Sequence, residues 1–113
     1  MLFRSDWVER ATLTRYTRWL EETRGFSFPD YAALWEWSTT DLEGFWASIW
    51  EFVGMRASTP YERVLGTRSM PGAEWFPGAR LNWAEHILRP GAADEVVVRH
   101  ASELRPKIGR AHV

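Results

Sequence analysis

The 113-residue chain contains no cysteine, which removes disulfide staples and thiolate metal sites together. That absence suits a cytoplasmic protein better than a small secreted scaffold. Lysine is almost missing too. There are 13 Arg but a single Lys, Lys107, so residues 1–106 use Arg alone, a bias expected of a GC-rich coding sequence. No apolar run approaches the roughly 20 residues of a membrane span, and Met1-Leu2-Phe3-Arg4-Ser5-Asp6 lacks the apolar centre of a signal peptide. A net charge of −1 gives no basic surface for nucleic acid. The expectation is a chain with neither membrane nor nucleic acid among its partners.

Active-site signatures are equally scarce. Neither G-x-x-x-x-G-K-[ST] nor G-x-G-x-x-G occurs, and Gly72, Gly78 and Gly91 are too dispersed to cradle a phosphate. There is no G-x-S-x-G nucleophile elbow. His86, His100 and His112 never take the i, i+4 spacing of helical metal ligands. Glu21-Glu22 reads as a solvated face rather than a catalytic pair. Arg80, beside the Pro77-Gly78 turn, has the charge to meet a phosphate, but a salt bridge to a neighbouring domain is the commoner fate of such a residue. No catalytic, cofactor-binding or metal-binding residue is therefore assigned.

What the chain does have is aromatic mass. It is 45% hydrophobic and 26% charged, with eight Trp, a composition that favours folding over disorder. Each large aromatic buries roughly 150–250 Å², more in sum than a few short helices can hide. Large exposed apolar patches mark interfaces, so a partner surface is expected.

The patterning predicts a mainly α chain of three to four short helices, over about 11–24, 30–37, 40–53 and 81–88, joined by long loops. In the first, Leu13, Tyr16 and Leu20 share a face with Trp19 beside them, Arg15, Arg18, Glu21 and Glu22 take the other side, and Gly25 follows as a left-handed cap. This helix has a possible earlier start at Ser5 or Asp6. Pro29 suits the first position of the second helix, in which Tyr31, Leu34 and Trp35 share a face. Ser38 with Asp41, or Thr40 with Glu43, offers a capping box for the third. Its stripe is the clearest in the chain: Leu42, Phe45, Trp46, Ile49 and Val53, widened by Trp50 and Phe52 and ended by Gly54. Such a stripe is core or interface far more often than a ligand box.

From Met55 to Gly72 the signals are weak, with a turn at Ser58-Thr59-Pro60-Tyr61 and a short extended piece at Glu62-Arg63-Val64-Leu65. Asn82 with Glu85 caps the last helix, and Arg89-Pro90-Gly91 stops it. Residues 95–100 read as one strand, unpaired or in a hairpin, and Ala101-Ser102-Glu103 suits a turn. A lone strand has no ladder, and its partners are expected outside the chain.

Several blocks recur in a fixed order: Thr14-Arg15-Tyr16 with Arg18-Trp19-Leu20; Phe28, Asp30-Tyr31, Leu34-Trp35 and Trp37-Ser38; Phe45-Trp46, Ile49-Trp50 and Phe52; and Trp75-Phe76-Pro77-Gly78-Ala79 with Leu81-Asn82-Trp83-Ala84-Glu85. Together they resemble the N-terminal segment of acetoacetyl-CoA synthetases, acyl-CoA synthetases of the adenylate-forming superfamily. The likeness runs from Trp7 to Pro106. Acetyl- and propionyl-CoA synthetases share the FW and WF-x-G-x-LN blocks but usually continue with an Asn-rich, Asp-Arg-His ending. Ala84-Glu85-His86-Ile87-Leu88 stands there instead, favouring the acetoacetyl branch.

The resemblance implies a parent enzyme with an α/β adenylate-forming fold. It would activate acetoacetate with ATP and Mg²⁺ and pass the acyl group to CoA, in the cytoplasm. Residues 1–91 would be its helical cap and 92–106 the first part of the large AMP-binding domain, onto which Trp75, Phe76, Leu81 and Trp83 would anchor. The phosphate loop, acyl pocket and catalytic Lys of that family have no counterpart here, so this fragment is expected to bind no cofactor and to be inactive alone. Residues 107–113 fit no family pattern. Ile108-Gly109-Arg110-Ala111-His112-Val113 resembles a translated sequencing-library adapter, and an artefactual tail would also account for the lone Lys. Two alternatives remain: a fragment of an acetyl- or propionyl-CoA synthetase, and a stand-alone helical module with a Trp-rich docking face.

Overall fold

The computed structural model describes residues 2–89 and 96–112. Five helices precede a two-stranded hairpin: α1 (Leu2–Arg10), α2 (Thr12–Arg24), α3 (Tyr31–Thr40), α4 (Leu42–Phe52), α5 (Trp83–Ile87), β1 (Val96–Ser102) and β2 (Arg105–His112). The mainly α expectation holds. The N-terminal residues, expected at most to lengthen the first predicted helix, form a separate one. Extended Ala11 (φ −62°, ψ 137°) divides α1 from α2.

Local chemistry sets most boundaries. Gly25 ends α2 in the left-handed conformation (φ 68°), with its N–H on Glu21 O. Asp30, not Pro29, starts α3, its side chain accepting from Ala33 N at 2.9 Å. Likewise Asp41 caps α4, accepting from Gly44 N at 3.1 Å. Neither Ser38 nor Thr40 is free for that role, because both hydroxyls bond back to carbonyls of α3, Ser38 to Trp35 and Thr40 to Glu36. The end of α4 is a Schellman motif: Met55 N–H bonds Trp50 O, Gly54 N–H bonds Glu51 O, and Gly54 has φ 63°. Asn82 caps α5 as expected, accepting from Glu85 N at 3.2 Å.

The core is small. Tyr16 and Leu20 of α2 pack with Leu34 of α3, and Trp19, Phe26, Phe28, Trp37, Phe45, Ile49 and Phe52 surround them. Leu20 is fully buried, so Leu20→Ala would cost about 2–5 kcal/mol. Ser48, also fully buried, is the polar residue inside it. Arg24 clamps the rim: its guanidinium lies 3.0 Å from Glu51 Oε2 and 5.7 Å from the Trp19 ring centre.

The 55–81 stretch is better ordered than its sequence suggested. It doubles back on itself, bridging Thr59 to Arg80 and Leu65 to Trp75 in antiparallel fashion. Thr59 is therefore extended rather than part of a tight turn. Pro77 and Gly78 form a type II turn, with Ala79 N–H on Phe76 O at 3.1 Å and Gly78 at φ 87°.

In the hairpin, β1 pairs antiparallel with β2, and Ser102 faces Arg105 across a two-residue turn at Glu103-Leu104. Of the two forms expected for this strand, unpaired or in a hairpin, the hairpin is the one found, and its first ladder partner lies within the chain, in β2, rather than outside it. Glu95, the expected first strand residue, and the 91/92 domain boundary both fall outside the described residues. Among the described elements the hairpin packs on no helix. The radius of gyration, 19.2 Å, exceeds the roughly 13 Å of a compact domain of this length.

Candidate functional site

The feature that calls for a function is an apolar face rather than a catalytic cleft. The α4 stripe has more hydrophobic width than α2 and α3 can cover. Phe45 and Ile49 turn partly inward, whereas Trp46 and Val53 stay 38% and 50% exposed. Two apolar grooves result, and Ile49 lines both. The first, about 190 Å³, lies among Leu13, Tyr31, Leu34, Trp35 and Phe45. The second, also about 190 Å³, is lined by Trp46, Ile49, Trp50, Val53, Met55, Phe76 and Leu81, all apolar.

Aromatic contacts fix the second groove. Trp50 and Phe76 lie 4.7 Å apart between ring centres, Tyr61 is 5.3 Å from Phe76, and Trp46 meets Trp75 at 5.5 Å. Phe76 holds this place with φ 49°, a rare conformation for a side chain of its size. Its N–H bonds Val64 O at 2.8 Å, which keeps it there.

Of the four residues expected as anchors, Trp83 is 79% exposed, Leu81 47% and Trp75 43%. Phe76 is half-buried, its ring packed on Trp50 and Tyr61 within the chain. Ile87 and Leu88 extend the exposed apolar surface along α5.

A polar clasp closes the base of this lobe. His86 Nε2 lies 2.9 Å from Arg56 O, while Arg89 Nη2 reaches Gly54 O at 2.7 Å and His86 Nδ1 at 3.3 Å. The Nε2–H tautomer satisfies both ring nitrogens, donating to Arg56 O and accepting from Arg89. The opposite tautomer would accept from Arg56 N, 3.3 Å away, but would set its Nδ1–H against the guanidinium, donor to donor. His86 is thereby structural, and α5 is tied to the end of α4. Arg80 is exposed, and its backbone pairs with Ser58 and Thr59.

The sequence-predicted chemical residues are not brought together. His86 belongs to α5, His100 to β1 and His112 to β2. Among the described residues, no group of three or more His, Asp or Glu side chains could hold a metal ion. No described helix is long and apolar enough to cross a membrane.

Sequence reasoning missed three polar features: the clasp, the Arg24–Glu51 clamp and the buried Tyr16–Ser48 pair. Only the last had a usable signal, since Ser48 falls at i+3 from Phe45 and i−4 from Phe52, inside the apolar stripe. Burial raises the Tyr16 pKa above its ordinary value, and the Ser48 hydrogen bond and the Arg24 charge partly offset that rise.

The family described as acetyl-coenzyme A synthetase N-terminus matches residues 31–87, which hold the Asp41 and Asn82 caps, all of α4 and the whole lining of the second groove. Acetoacetyl-CoA synthetase of Danio rerio is 32% identical over 110 residues, covering 96% of this chain and 16% of that protein. Acetoacetyl-coenzyme A synthetase of Rhizobium meliloti (strain 1021) is 34% identical over 93 residues, 81% of this chain and 14% of the relative. Among solved structures, acetoacetyl-CoA synthetase from Streptomyces lividans superposes with a TM-score of 0.68 at 51% identity, over 73% of this chain and 13% of that one. The chain spans a small fraction of the length of each protein it matches.

Proposed function

This chain belongs to the acetyl-coenzyme A synthetase N-terminus family, and we propose that it works as the helical N-terminal cap of an acetoacetate–CoA ligase. The parent reaction joins acetoacetate, ATP and CoA to give acetoacetyl-CoA, AMP and diphosphate, with Mg²⁺ offsetting phosphate charge. Residues 1–91 form the cap and 92–106 open the large AMP-binding domain. Trp75, Leu81 and Trp83 anchor the one to the other in the cytoplasmic enzyme, with Phe76 as an internal brace behind them.

The observation that carries this reading is the 51% identity to the Streptomyces lividans enzyme, together with a superposable fold. The cap holds no substrate, nucleotide or metal. Its chemical contribution is to cover apolar surface on the catalytic domain and so fix where that domain begins.

The test is a chimera in which residues 1–106 replace the matching segment of the Streptomyces lividans enzyme. The chimera is expected to form AMP in response to acetoacetate well above its response to acetate or propionate, and the chain alone to form none. A soluble, folded chimera without acetoacetate-dependent activity would favour the stand-alone docking module instead. Specificity for acetate or propionate in the native full-length protein would place the chain with those synthetases.

A further inference from the structure

Between the two apolar grooves, we infer that the one lined by Trp46, Val53, Met55 and Leu81 is the seat of the following domain, and that the Leu13–Tyr31–Trp35 groove is not. This rests on the cap reading above. The occupant it fits is an uncharged apolar face of the domain that carries the β1–β2 hairpin, since no lining residue is charged or polar.

The direction in which the chain leaves the lobe favours this groove. Arg89, the last residue described before the hairpin, is held at 2.7 Å from Gly54 O, and Gly54 sits between two groove residues, Val53 and Met55. Leu81 enters the groove just ahead of α5, which the His86–Arg56 contact pins to the same corner. From Arg89 to Val96 a chain reaches at most about 25 Å. The hairpin and any sheet it joins are thus tethered to the rim of the second groove, and a tether this short holds its cargo at an effective concentration in the millimolar range. The hairpin itself gains no support from any described helix. The first groove is built from α2, α3 and α4 and includes no residue of the clasp.

Four substitutions separate the grooves on closely matched terms. Val53 and Leu81 are 50% and 47% exposed, Leu13 and Tyr31 48% and 66%, so a Glu at any of them leaves the cap core intact. That is checked by unchanged helical circular dichroism of the 113-residue chain. In the full-length chimera, Val53→Glu and Leu81→Glu are expected to speed protease cleavage between residues 89 and 96 at least tenfold and to lower the melting temperature, while Leu13→Glu and Tyr31→Glu change neither. The reverse pattern, equal effects of all four, or no effect of any would overturn the assignment while leaving the cap reading in place. If the unsubstituted chimera is cut as fast as the free chain, the cap reading itself fails.

Discussion

The Tyr16 hydroxyl lies 2.6 Å from Ser48 Oγ in a buried contact between α2 and α4, and Ser48 Oγ in turn donates to Phe45 O at 2.6 Å. The proton order Tyr16 to Ser48 to Phe45 leaves no donor unused. A stripe that sequence alone would fill with hydrocarbon thus carries one polar seam, and the seam fixes how the two helices meet.

Deleting either end of that seam should have unequal cost. Tyr16→Phe removes one hydrogen bond and leaves Ser48 bonded to Phe45, for about 1 kcal/mol. Ser48→Ala strands the phenol in apolar surroundings, for about 1–3 kcal/mol. Urea midpoints of the chain at submicromolar concentration, followed by Trp fluorescence, should rank Ser48→Ala below Tyr16→Phe. The opposite ranking would argue that water reaches the phenol.

The same pair sets a pH dependence. Burial raises the folded-state pKa of Tyr16 above the ordinary value of 10.0, so the folded state holds this proton more tightly than the unfolded one. Stability from this group is complete below pH 10 and is lost as pH rises through the folded pKa. Wild type should lose stability above pH 10 more steeply than Tyr16→Phe, and superimposable alkaline profiles would contradict the burial argument.

Gly78 and Gly25 should differ on substitution. Both have positive φ, 87° and 68°. A Cβ at Gly25 meets nothing, whereas at Gly78 it falls 2.9 Å from Glu62 Cγ. Gly25→Ala should cost about 1 kcal/mol from backbone strain alone, and Gly78→Ala more. Equal losses in the urea midpoint would show that Glu62 moves aside freely.

The free chain should self-associate. Its accessible surface is 9310 Å², against about 6,400 Å² for a folded monomer of this mass. Light scattering should report association that grows with concentration and a broad thermal transition. A monodisperse monomer with a sharp cooperative melt would count against an uncovered face.

How much of this was legible in the sequence depended on the range of the forces involved. The helices from α2 onward, the Gly25 cap and the Asn82 cap follow from periodicity and short-range bonding, and were readable. The caps at Asp30 and Asp41 were missed by one to three residues, because neighbouring Ser, Thr and Pro carry competing signals that only back-bonding geometry resolves. The pairing of residues 58–66 with 74–80 was not readable. It rests on backbone hydrogen bonds across a loop with no alternation, and on Phe76 adopting a conformation no propensity predicts. The His86 clasp joins residues 30 or more positions apart, beyond any local pattern.

The central claim is that the Trp-rich face is covered by the remainder of an acetoacetate–CoA ligase. Hydroxyl-radical footprinting measures this side chain by side chain. In the isolated chain, diluted below association, Val53, Trp75, Leu81 and Trp83 should label heavily. In the full-length chimera the same residues should be protected several-fold. Equal labelling of all four in the chain and in the chimera would contradict the account.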